Sequence, residues 1–137
     1  LMVSEQDKKL IRQSFESERM NIEAFVPAFY GNFFAVCPDI RSLFHEDLTQ
    51  QEGKLLASLT HIAEALDDSG RLDSILQQQG EKHRKLEVSD AHFHGFISSF
   101  TSALADTLGP DWNSETQQAW VRFLTHVAFK MDFLTRR

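Results

Sequence analysis

Apolar positions fall in steps of three and four along most of the chain, which reads as a succession of amphipathic helices. From Ser4 to Glu18, Leu10, Ile11 and Phe15 form one apolar face while Lys8, Lys9, Arg12 and Glu16 face water. Ser4 serves as the cap, with Asp7 in the first turn. Asn21 to Val36 is a second helix, and Pro27 within it is predicted to kink it or mark its first turn. Pro38 opens a short helical turn through Leu43, and His45 to Gln50 reads as polar loop. Glu52 to Leu66 follows, its face built from Leu48, Gln51, Leu55, Leu59, Ile62 and Leu66, with Gln51 the polar member. Asp67-Asp68-Ser69-Gly70 stops it. Leu72, Ile75 and Leu76 predict a short helix that runs through Gln77-Gln78-Gln79-Gly80 and ends near His83. Ser89 to Leu108 turns Phe93, Phe96, Ile97, Phe100 and Leu104 inward, and Gly109-Pro110 breaks it. Ser114 with Gln117 forms a capping box for the last helix, which buries Trp120, Phe123, Leu124, Val127 and Met131. No strand pattern, repeat or linker interrupts this. The expectation is one all-α domain over residues 1–137, with about six longer helices too uneven for a regular four-helix bundle. Leu1 ahead of Met2 reads as an expression remnant, and residues 1–3 are expected to be disordered or part of such a remnant.

The second helix stands out. Phe25, Phe29 and Phe33 recur at i, i+4 and i+8, and Val26, Tyr30 and Phe34 repeat that spacing one residue round. The resulting stripe is too wide for one neighbouring helix, so several helices or something large and flat must cover it. Tyr30 is the only phenol in the chain, and a buried hydroxyl needs a partner. Either it is a core tyrosine reaching backbone or solvent, or it serves a ligand.

Composition narrows the function classes. With 12 Phe against 2 Trp and 1 Tyr, the interior is apolar and wide. A net charge of -6 argues against nucleic acid or an anionic membrane as the main partner. No apolar run approaches the roughly 18 residues needed to span a bilayer. Leu1 to Leu10 lacks a signal-peptide pattern. The single cysteine, Cys37, excludes an internal disulfide and fits a cytoplasmic location. No Cys/His spacing indicates zinc, and neither a nucleophile motif nor a glycine-rich phosphate loop is present. Of the six histidines, His45, His61, His92, His94 and His126 are expected at the surface or in structural hydrogen bonds. His83 differs, because it follows a helix with little core of its own and precedes Leu86 and Val88.

Taken in order, these residues resemble a bacterial single-domain globin, close to the haem domain of flavohaemoglobins. Tyr30, eight residues before Pro38, and Phe44, six after it, resemble that family's distal tyrosine, inter-helix proline and haem-stacking phenylalanine. Leu43-Phe44-His45-Glu46-Asp47-Leu48-Thr49-Gln50-Gln51 resembles L-F-x-x-D-[ML]-x-x-Q, which makes Gln51 the distal glutamine. Leu55 matches the apolar residue over the iron. Gln78-Gln79-Gly80-Glu81-Lys82-His83 resembles x-L-G-x-[KR]-H, which ends in the proximal histidine. Val88 matches the valine beneath the ring, and Ala119-Trp120 the A-W of the last helix. The likeness spans roughly Ser4 to Leu134. Gln51 and His83 are 32 residues apart, a usual spacing in this branch. Placing Lys54 on the distal side instead would turn Ser58 and Ala65 toward the pocket, so helical phase favours Gln51. Room for a full first helix favours the long three-on-three helical sandwich over the truncated form.

Three departures bear on the chemistry. Gln79 stands where a leucine is usual. Phe93 replaces a tyrosine ten residues after the proximal histidine. Asp132 and Thr135 occupy the region of a late glutamate that orients that histidine. The hydrogen bonding that would make the iron electron-rich is therefore reduced. With the chain ending at Arg137, no flavin reductase domain is expected.

The resemblance implies haem b (iron protoporphyrin IX) ligated by His83 and walled by Phe44, Leu55, Val88, Phe93 and Phe96. Lys54, Lys82 or Arg84 would meet the propionates. Dioxygen, NO or CO would bind on the side of Tyr30 and Gln51. A hydrogen bond to a charged acceptor is worth about 1.5–3 kcal/mol, or about 10- to 150-fold slower release. Three functions fit: reversible dioxygen binding or transport, nitric oxide dioxygenation with a separate reductase, or a globin-fold sensor or interaction module.

Overall fold

The computed structural model describes residues 3–83 and 90–130, with side chains throughout except at 69, 79–83, 90, 129 and 130. Six α-helices lie among the described residues: α1 (Glu5–Glu16), α2 (Ile22–Val36), α3 (Thr49–Glu64), α4 (Ser69–His83), α5 (Asp90–Leu108) and α6 (Ser114–Lys130). A 3-10 helix, Pro38–Leu43, joins α2 to the loop before α3, and a second, Gly109–Asp111, joins α5 to α6. No strand occurs among the described residues.

Local chemistry sets most of these boundaries. Ser4 Oγ accepts from the Asp7 amide at 3.0 Å, so the expected cap of α1 is in place. Asn21 caps α2 through the Ala24 amide. Pro27 sits inside α2 without ending it; the helical bond it cannot donate falls on an exposed side, where Glu23 and Pro27 both meet solvent. Gly109 adopts φ +52°, the left-handed conformation that stops α5 ahead of Pro110. Two expectations need correction. The cap of α6 is Asn113, whose Oδ1 accepts from the Thr116 amide at 2.9 Å, while Ser114 is already helical. Asn and Ser are near-equal caps, so adjacent candidates are not resolved by composition. Helix α3 begins at Thr49 rather than Glu52, because Asp47 accepts from both the amide and the hydroxyl of Thr49 and so nucleates the helix earlier.

Helix α2 packs across α5, α1 lies on α6, and α3 leans on α2 and α4. The contact between α2 and α5 is aromatic. Phe25 meets Phe100 edge-on at 4.8 Å, and Phe29 meets Phe96 at 5.5 Å. Each such pair adds about 0.5–1.5 kcal/mol beyond its buried area. Phe100 passes the contact on to Trp120 of α6, which touches Phe15 of α1. The Trp120 indole N–H donates to Ser14 Oγ at 3.0 Å, and Ser14 donates on to the Leu10 carbonyl. Asp7, expected only as a first-turn acid, is buried, and Arg122 of α6 donates to both its carboxylate oxygens at 2.7 and 2.9 Å. Cys37, just after α2, and Gly95 of α5 lie close together, since a Cβ at Gly95 would press into the Cys37 sulfur. Burial, with Asp39 nearby, pushes the Cys37 thiol up, so it remains protonated and acts as a packing group.

Two predictions test this packing. In an ordinary helix, Gly to Ala stabilises by about 1 kcal/mol. Gly95→Ala should instead destabilise by about 1–3 kcal/mol through overpacking. Adding Cys37→Ala should recover most of that loss in chemical denaturation. The second concerns acid. The hydrogen bonds from Arg122 hold the Asp7 carboxyl below its ordinary value of 3.8, against the opposing effect of burial. The stability it contributes is therefore complete above that value and is lost as pH falls through the lowered one. Asp7→Asn should cost about 1.5–3 kcal/mol at pH 7. In thermal melts the gap from wild type should shrink below the ordinary carboxylate range.

Candidate functional site

The second aromatic row of α2 points away from α5. Tyr30 is 5% exposed, and its ring stacks on Phe34 at 5.7 Å. Both rings meet Phe44, the residue that follows the first 3-10 helix: Phe34 at 5.5 Å, and Tyr30 edge-on at 6.0 Å. Phe44 is there because Pro38 starts a tight 3-10 turn directly after α2 and brings the chain back along it. Facing them is α3. Its inward residues are buried at Leu59 and Ile62, and half-buried at Gln51 and Leu55. Gln51 Nε2 donates to Tyr30 Oη at 2.9 Å. Lys54, the rejected distal alternative, is exposed.

The direction of that bond gives the two groups different parts. Gln51 spends one amide hydrogen on the phenol oxygen, and no described residue accepts the phenol hydrogen. Burial pushes the Tyr30 hydroxyl above its ordinary value, the Gln51 bond works against this, and the charge of Glu52 adds to it. The phenol is therefore a neutral donor at physiological pH. The pair offers hydrogen-bond donors to a polar ligand, inside walls that are otherwise aromatic and aliphatic.

The remaining expected residues fall around this pair or outside the described residues. Phe96 reaches the same wall through Phe29 and Phe33, and Leu55 packs on the core. Phe93 is buried in the first turn of α5. His83 is the last residue of α4, and its side chain lies outside the described residues, as do the side chains of Gln79 and Lys82 and the whole of Arg84, Val88, Met131, Asp132 and Thr135. Among the other histidines, His45, His61 and His94 are exposed and His126 is buried. His92 meets Asp39 at 2.8 Å, which ties the first 3-10 helix to α5 and holds the Asp39 carboxyl low. Among the described residues no cluster of His, Cys, Asp and Glu is arranged to hold a metal ion. An open depression of about 440 Å³ is lined by His45, Glu46, Asp47 and Gln50, next to Gln51 in the chain.

Sequence reasoning missed Arg41. Its guanidinium donates to the carbonyls of Phe44, at 3.4 Å, and of His45 and Glu46, at 2.9 Å each, and lies 5.1 Å over the Phe34 ring. The available signal was an arginine just ahead of a loop with no regular structure to satisfy its carbonyls.

These side chains fit the cofactor that the motifs implied: a flat apolar ring suits the Phe44, Leu55 and Phe96 surroundings, and a small polar ligand at its centre suits the Tyr30–Gln51 donors. Comparison with known proteins agrees. The globin family model matches residues 27–131. The chain is 25% identical to a neuroglobin of Dissostichus mawsoni over 144 residues, covering 95% of this chain and 91% of that protein. It is 27% identical to a neuroglobin of Danio rerio, covering 94% and 90%. It is 23% identical to an anaerobic nitrite reductase of Brassica napus, covering 93% and 89%. These relatives are animal and plant proteins, whereas the motifs pointed to bacterial flavohaemoglobins. No helix among the described residues is long and apolar enough to cross a membrane. The chain belongs to the globin family, with the all-α fold of that family, and membership implies a haem cofactor.

Proposed function

We propose that this globin binds dioxygen reversibly, together with NO and CO, at the iron of a haem b held by His83. The observation that carries this reading is the Tyr30–Gln51 hydrogen bond set into an aromatic wall. A haem iron supplies reversible attachment of a diatomic gas. The protein supplies discrimination between gases. Tyr30 presents its hydroxyl hydrogen to the ligand, and Gln51 fixes the orientation of the phenol by donating to its oxygen. Such a donor favours ligands that gather negative charge and does little for a nearly apolar one. Phe44 and Leu55 would restrict the space around the ligand and Phe93 and Phe96 would line the ring, with Val88 assigned there by the resemblance alone. The tyrosine and glutamine together are the pair that resembles bacterial single-domain globins and flavohaemoglobin haem domains.

Reversible binding is favoured over oxidative turnover by Phe93. It is buried and has no polar atom with which to strengthen His83 as a ligand.

His83→Ala should lose most of its haem, or give a spectrum restored by added imidazole; a normal histidine-type ferrous-CO spectrum retained in His83→Ala but lost in His92→Ala would reassign the ligand. Tyr30→Phe removes one donor and little volume. In stopped-flow measurements dioxygen release should quicken by about ten-fold or more, at ~1.4 kcal/mol per decade, with CO release changing far less. Gln51→Leu should have the smaller effect of the two, because it removes only the support of the phenol. Equal changes for both gases in Tyr30→Phe would mean that Tyr30 only shapes the pocket.

A further inference from the structure

The segment from Phe44 to Leu48 joins the first 3-10 helix to α3 without regular structure. It carries Phe44 at its start and delivers Gln51 one turn into α3, so its path decides how both lie against Tyr30. Two side chains organise it. Asp47 accepts from the amide and the hydroxyl of Thr49, the first residue of α3. Arg41 holds the other half, donating to three successive carbonyls, those of Phe44, His45 and Glu46. The same guanidinium lies over Phe34, whose ring contacts Tyr30 and Phe44. One planar cation thus joins the loop backbone to the aromatic wall that holds the phenol. Lysine cannot replace it, since an ammonium lacks the fork that reaches three carbonyls and the plane that stacks on a ring.

We propose that Arg41 is a positioning residue for gas discrimination: by clamping the loop after the first 3-10 helix it fixes Phe44 and Gln51 against Tyr30, and so sets the alignment of the phenol donor. This rests on the reading of Tyr30 as donor to the bound gas. Arg41 acts through Tyr30 and touches no ligand itself. Its removal therefore has an effect only where the phenol is present.

The test uses the haem-loaded full chain as wild type, Arg41→Met, Arg41→Lys, Tyr30→Phe and the double variant Tyr30→Phe/Arg41→Met. Amide hydrogen exchange of residues 44–50 should quicken by about ten-fold or more in both Arg41 variants, at ~1.4 kcal/mol per decade, while α5 and α6 keep wild-type protection. Dioxygen release should quicken by about three- to ten-fold in Arg41→Met and nearly as much in Arg41→Lys, with CO release within about two-fold. In the Tyr30→Phe background, Arg41→Met should add nothing further to the dioxygen rate. Unchanged exchange in residues 44–50, equal shifts for both gases, full rescue by lysine, or an undiminished effect without the phenol would each overturn the proposal. An unchanged dioxygen rate in Tyr30→Phe alone overturns the donor reading and this proposal with it. A responsive Tyr30→Phe beside a silent Arg41→Met overturns only the role of Arg41.

Discussion

Helix α2 has to satisfy two neighbours at once, and the rest of the molecule follows from how it does so. Successive residues on a helix are about 100° apart, so rows one residue round from each other make one broad face with two aspects. Phe25, Phe29 and Phe33 take the first aspect and interlock with Phe96 and Phe100 of α5. Tyr30 and Phe34 take the second and face Phe44 and Gln51. Because both rows belong to one rigid element, the core packing also fixes the site. Phe29 touches Tyr30 directly at 5.0 Å, so a shift in the interlock would reach the phenol with no flexible link between. Gly95 serves the same end, since its lack of a Cβ lets α5 close on the C-terminal end of α2 beside Cys37.

The buried polar groups separate structural from functional use. Trp120 donates to Ser14, and Ser14 donates to the Leu10 carbonyl, so that chain of bonds starts and ends within the protein. Asp7 likewise accepts on both carboxylate oxygens from Arg122. The Gln51–Tyr30 chain is different. It begins at an amide and ends at a hydroxyl hydrogen that no described residue accepts. A buried donor without an acceptor costs about 1–3 kcal/mol if it stays unpaired. A fold needing only to be stable would place phenylalanine there, as it does at the neighbouring positions 29, 33 and 34. The proposed ligand-serving role of Tyr30 rests on this single tyrosine among phenylalanines and on its bond from Gln51.

Period alone was enough to find the helices, because each apolar face recurs every three or four residues and needs no knowledge of its partner. Period put Gln51 on the apolar face of its helix, and the family resemblance set it opposite Tyr30 before any distance was known. What escaped it were pairings between distant side chains. Asp7 and Arg122 are 115 positions apart, and each reads alone as an ordinary surface charge. Asp39 and His92, 53 positions apart, are the same case. Arg41 escaped for another reason: its partners are backbone carbonyls, which every residue has, so no side-chain pattern marks them. The cap of α6 slipped by one residue because two good capping residues stand together. The proximal side rests on motif alone, since the His83 side chain and Val88 lie outside the described residues.

The electrostatics of Tyr30 constrain how the site can respond to pH. Burial and the charge of Glu52 both disfavour a phenolate, and the single bond from Gln51 does not reverse them. Ionisation would put an anion among the rings of Phe29, Phe34 and Phe44. The phenol hydrogen is thus kept through neutral and mildly alkaline pH, and the donor does not switch in that range. A pH dependence of gas release near neutrality would then originate away from this pair. The contact between Asp39 and His92, at 2.8 Å, bridges the 3-10 helix that leads into Phe44 and the helix that carries Phe93, and involves neither Tyr30 nor Gln51.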